Sequence, residues 1–405
     1  MKLKSWRKVG NGRGNDCKGD CNNSPSHKAR FSPQSRRRLI HRHPYRFHLD
    51  TGAGVVELRA WYGQDPADGH WGCPLRECWK LAAYQQLSPG WQQQLAFTLT
   101  VTTSYAGAAT LLRQLGHRAD DATLHTLAQT LGARAEAQTQ RRLGQPVEEQ
   151  RPPRAASQVG VLMLAGWQVR QRGPGWGKNK TQQPRVAWHE LKTGVFYLQE
   201  QAAHKNGRGI LSDKVVVSWQ GEPMELGRRL HQAACEHGLG RAQEKLVVSA
   251  GAPWIWNVAQ DRWQGALEVL DFYHACQHVW ALGEAVHGEG ALARDWVEKQ
   301  LHQLRHGRHA AALRTIAGIK AGRSQAGAII RREQNYFASH AARMKYRAVA
   351  ERGWPIGSGP VESACLQRQG RFKRSGQSWT PLGLRHLCAL IEARQNRHWD
   401  QLWNQ

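Results

Sequence analysis

The sequence predicts an α/β protein: a mixed five-stranded sheet with flanking helices, an all-helical insertion, and a helical domain in front. Three observations predict it. From residue 158 to about 290, apolar β-rich runs give way to helical patterns in the order strands, helix, strand, helix, strand, helix. Residues about 276 to 350 read as helix almost throughout, as in "RDWVEKQLHQLRHGRHAAALRTI". Residues 88 to 145 carry a helical apolar period without strand signals.

Composition bounds the partners. The chain has 405 residues, enough for two or three domains, with 57 Lys plus Arg against 31 Asp plus Glu and a formal charge of +26. Such a surplus points to polyanions, nucleic acid first and an anionic membrane surface second. No apolar run approaches the roughly 20 residues of a membrane span. The N-terminal "MKLKSWRKVG" has no hydrophobic core segment, so the expected compartment is the cytoplasm. Of eight cysteines, Cys17, Cys21, Cys73 and Cys78 offer a weak zinc pattern, and thiols are the default in a reducing compartment.

The elements follow in order. Residues 1–55 read as a flexible basic arm, whose "SPQSRRRLIHRHPYR" can track phosphates. Residues 56–145 read as a helical DNA-binding domain. Ser88-Pro89 starts a helix with Trp91, Leu95 and Leu99 on one face. Tyr105, Ala108, Ala109, Leu112 and Leu115 line a second, ended by Gly116. Asp120 or Asp121 caps a third, apolar at Leu124, Leu127, Ala128, Leu131 and Ala135. A short turn between helices fits a helix-turn-helix and any helical hairpin alike. On the first reading, His125, Gln129, Arg134 and Gln138 are the candidate base contacts. Residues 146–157 are a linker by composition.

The domain 158–405 begins with the strand "QVGVLMLAGW". "RVAWHELKTGVFYLQE" reads as a hairpin turning at Lys192-Thr193-Gly194, and "KVVVSWQG" as the next strand. "EKLVVSAGAPWIW" is a buried strand entering a turn, and "ALEVLDFYHACQHVW" a short strand running into a helix. This is the order of a ribonuclease-H-like core, with the helical insertion at about 276–350. Such cores carry two-metal phosphoryl transfer, which needs two or three carboxylates converging at one sheet edge. Glu362, behind "GSGP" and ahead of the basic Arg368, Arg371, Lys373 and Arg374, takes the late-helix place. The ends of the first and fourth strands hold Ala165 and Ala250 instead. Asp271 is a helix cap or a peripheral substitute acid, with His274 and His278 on one face of the helix after it.

"LMLAGWQVRQRGPGWG", "GAPWIWN", "LDFYHACQHVW" and "IGSGPVESAC" resemble the motifs of ISKra-type bacterial insertion-sequence transposases of the DDE superfamily, from about residue 85 to the C-terminus. The resemblance implies an aspartate at positions 165 and 250 and a third acid at Glu362, holding two Mg²⁺ or Mn²⁺ ions. It further implies binding of terminal inverted repeats and target DNA as a homo-oligomer, with cleavage and strand transfer. Two alanines in otherwise intact motifs imply a form without catalysis, either substituted by design or decayed. A transposase-derived DNA-binding regulator and a nuclease with other acids are the competing expectations.

Overall fold

The computed structural model describes residues 30–82, 84–145, 158–173, 186–199, 202–205, 208–211 and 213–403. The linker 146–157 and Cys17 and Cys21 lie outside them, as does the arm up to residue 29. The chain divides into two units. Residues Met1–Thr98 and Ala109–Ala119 form the first, Leu99–Ala108 and Asp120–Gln405 the second.

The first unit corrects two expectations, a flexible arm up to residue 55 and an all-helical span over 56–145. Within the supposed arm, β1 (Ile40–Thr51) pairs antiparallel with β2 (Gly54–Gln64), and β3 (Trp71–Gly72) extends the sheet. The short helix α1 (Pro74–Cys78) follows. Tyr45, Phe47 and Leu49 alternate with basic residues along β1, a period of two that buries one face. Phe47, Leu49, Ala60, Cys73 and Leu81 form the core there. Pro44 is tolerated because β1 is an edge strand. The charge of this segment had masked its alternation.

Helices α2 (Pro89–Val101) and α3 (Tyr105–Gln114) match the sequence periodicity, and Gly116 ends α3 with a left-handed φ of 85°. Helix α4 (Asp121–Leu143) is capped by Asp120, whose carboxylate accepts from Thr123 N at 2.6 Å. Expected in an N-terminal domain, α4 belongs instead to the second unit, packed along α13 (Pro381–Gln395).

The second unit holds a mixed five-stranded sheet. Its strands are β4 (Gln158–Arg172), β5 (Val186–Leu198), β8 (Val215–Trp219), β9 (Ala242–Ser249) and β10 (Leu267–Leu270). A separate pair, β6 (Ala202–Lys205) and β7 (Arg208–Leu211), precedes β8. The spatial order is β8-β5-β4-β9-β10, antiparallel from β8 to β4 and parallel from β4 to β10. This topology is compatible with a ribonuclease-H-like core. The expected hairpin turn at Lys192–Gly194 is the middle of β5, where these residues face Gly166, Ala165 and Leu164.

Helices cover both faces. α5 (Pro223–Glu236) packs on β5 and β8 and touches α6 (Pro253–Arg262). Its Leu230 sits against Gly194, where a Cβ would lie 2.2 Å from Leu230 Cδ2. α12 (Gly359–Phe372) lies on the other face, against β4 and β5. Between β10 and α12 run α7 (Phe272–His287), α8 (Ala291–Arg305), α9 (His309–Ala317), α10 (Gln325–His340) and α11 (Tyr346–Glu351). Among the described residues no helix is long and apolar enough to cross a membrane.

Candidate functional site

The parallel strands fix the site. Leu162 on β4 lies level with Val247 on β9, and Leu270 on β10 with Ser249. Ala165, expected at the end of the first strand, lies in the middle of β4, three residues past its last pair with β9. Ala250 and Asp271 directly follow the last residues of β9 and β10, at the edge where those strands leave the sheet. The ladder between β4 and β9 stops at Leu162, and the Ser249 hydroxyl then accepts from Leu164 N at 2.9 Å. That contact holds the diverging strands together. Gly251 follows Ala250 with φ 99°, a left-handed turn at which a Cβ would also come 3.0 Å from His340 Nε2. Tyr336 of α10 donates its hydroxyl to Ala250 O at 3.2 Å.

Helix α12 delivers Glu362 to this edge. Ala165 is opposite Thr193 on β5, and Thr193 meets the Cys365 thiol one turn beyond Glu362. Glu362 itself is half-exposed, and its Oε1 lies 3.4 Å from His274 Nε2. That hydrogen bond raises the His274 pKa, against the opposing effect of burial. The start of α12 is anchored by Asp271. One oxygen caps α7, accepting from Tyr273 N at 2.6 Å and His274 N at 2.9 Å. The other accepts short hydrogen bonds from Ser358 N and Ser358 Oγ. Asp271 is 2% exposed, so it acts as a buried bolt between β10, α7 and α12. The capping reading of Asp271 therefore holds, with the Ser358 contact added.

The basic residues behind Glu362 separate into two groups. Arg368 and Arg371 are 3% and 5% exposed, which removes them from the surface where phosphates were expected. Arg368 donates to Gln395 and lies 3.8 Å from Glu392, whose carboxyl burial pushes up to about 7. Arg371 donates to Thr103 O at 3.2 Å and stacks over Tyr105 and Trp379. Lys373 and Arg374 remain exposed. On α4, Gln129 meets His386 at 3.0 Å, Arg134 donates to Leu402 O and Gln138 to Gln401 O. The side of α4 thought free to read bases is largely engaged within the protein.

His274 and His278 go to different partners, since His278 Nδ1 lies 2.6 Å from the buried Glu333. Cys73 is buried and Cys78 exposed, and burial raises the Cys73 thiol pKa. Sequence reading missed Tyr336, His340 and Ser358. The first two sit in the helical stretch, where nothing local reveals which sheet edge they meet.

The donor set does not suit two divalent ions. Both Asp271 oxygens are consumed by four donors, which leaves Glu362 as the carboxylate turned to this edge. Among the described residues no group of three His, Cys, Asp or Glu side chains is placed to share an ion. Glu190, the nearest acid on β5, lies over Gly166 on the opposite sheet face and pairs with Lys192 at 2.9 Å. Comparison of the chain with protein-family models gives no match, and no curated protein matches it.

Proposed function

We propose that this chain is a DNA-binding protein of the insertion-sequence transposase type, with a ribonuclease-H-like domain that lacks two of its three catalytic acids. What supports the reading is that the β4–β9 register, continued three residues past its last pair, sets Ala165 level with Ala250, while Glu362 of α12 meets His274 just after β10. Aspartates at those two positions, with Glu362, would converge as a two-metal centre requires. The helices α7–α11 are then the insertion, and duplex DNA, from element ends and target, is the partner. The protein acts as a homo-oligomer on DNA, in the cytoplasm at the nucleoid. Phosphate contacts beside the site fall to Lys373 and Arg374. Nuclease action through other acids is disfavoured, because Asp271 and Glu190 are already committed to partners.

The test is a double reversion, Ala165→Asp with Ala250→Asp. The chain as it stands should bind duplex DNA and leave it intact with Mg²⁺ or Mn²⁺. The double revertant should cleave in a metal-dependent way, each single revertant little, and Glu362→Gln in the double revertant should silence it again. A double revertant that folds, binds DNA and never cleaves would leave a purely DNA-binding regulator as the function.

A further inference from the structure

The β1–β2 sheet has two unlike faces. One buries Phe47 and Leu49. The other presents Arg42 and Arg46 on β1 and Arg59 and Trp61 on β2, and Arg30 and Arg38 approach it from the preceding segment. Arg30 and Arg42 lie over the Trp61 ring, 5.2 and 5.7 Å from its centroid. Arg46 stands directly opposite Arg59 in the ladder. Like charges so placed destabilise a sheet. Glu57 offsets part of this charge, 3.3 Å from Arg59 and 3.6 Å from His48, and Asp50 lies further along the same face. Among the described residues no ion pair joins Arg38, Arg42 or Arg46 to a carboxylate. Desolvation, then Arg38 and Arg30, lower the Arg42 pKa.

A cluster that repels itself in the free protein is relieved when a polyanion supplies the missing negative charge. Trp61, the indole on this face, is covered by two guanidinium groups rather than offered to a base. The complementary ligand is therefore a phosphate backbone. We propose that the arginine face of β1–β2 is a docking surface for the backbone of duplex DNA, contacted without regard to sequence. This rests on the reading that the chain binds DNA. It assigns part of that binding to a folded sheet outside the domain of Glu362.

The full chain and its Arg38→Gln/Arg42→Gln/Arg46→Gln variant would be titrated against a random-sequence duplex by fluorescence anisotropy over a salt series. Three lost phosphate contacts should lower the slope of log K against log salt by about two to three. Affinity near 100 mM salt should drop by roughly ten- to a hundredfold. Thermal stability should be unchanged or higher, since the opposition of Arg46 and Arg59 is relieved. An unchanged slope in a variant whose parent binds duplex overturns this surface and leaves DNA binding standing elsewhere. A parent that binds no duplex even at low salt overturns both. Loss confined to single-stranded oligonucleotides overturns the duplex assignment. Should the triple variant misfold, Arg46→Gln alone, at an exposed position, decides by the same slope with an expected loss of about one.

Discussion

At the scale of single residues, Asp271 explains how the edge that carries Ala250 and Glu362 keeps its shape. It gives four acceptor contacts from a buried position, two to the first turn of α7 and two to Ser358 ahead of α12. Asp271→Ala removes a cap and strands the buried Ser358 donors, a loss of about 2–4 kcal/mol readable by urea denaturation. A loss within measurement error would mean that Ser358 finds other partners. His274 reports on Glu362 from the same edge. Its pKa lies above the ordinary 6.5, chiefly through the hydrogen bond to Glu362. The sign follows from linkage: the pair's stabilisation is fully present below pH 6.5 and fades as pH rises through the raised value. Glu362→Gln should return the His274 titration, followed by NMR, toward its ordinary range. An unmoved midpoint would assign the shift to Asp271 instead.

At the scale of elements, legibility followed locality. The helices α2 to α4 and the Asp120 cap were readable because capping and a 3.6-residue period are local. The five strands of the large sheet were readable as apolar runs, yet β5 was split in two because Lys192 and Thr193 look like turn residues. Only the pairing with Ala165 and Gly166 shows that they are mid-strand. The hairpin β1–β2 was hidden under arginines. The motifs named Ala165, Ala250 and Glu362 but put Ala165 at a strand end rather than in the middle of β4, and the bolt between Asp271 and Ser358 spans 87 residues and has no local trace. Nor did the sequence show that α4 lies on α13. Gly132 marks that contact, since a Cβ there would lie 2.3 Å from His386 O. Alanine would gain about 1 kcal/mol of helix propensity. Overpacking against a backbone carbonyl outweighs it, so Gly132→Ala should destabilise by about 1–3 kcal/mol. A raised melting temperature would show that the two helices part easily.

At the scale of the whole molecule, a charge of +26 does not translate into that many phosphate contacts. Part of it is structural. Arg229 is buried between Glu136 and Glu225, at 2.7 Å from each, and Arg368 lies inside beside Glu392. Counterion release counts only charges that reach the DNA backbone. Interior and exterior arginines should therefore separate in two measurements made together. Arg368→Met leaves Glu392 buried without its guanidinium and should lower stability by about 3–5 kcal/mol while the salt slope of duplex binding stays where it was. Lys373→Gln with Arg374→Gln should do the opposite, reducing the slope by about two with little change in melting temperature. A shallower slope for a folded Arg368→Met protein would mean that α12 turns outward on DNA, because a side chain 3% exposed in the free protein has no other route to a phosphate.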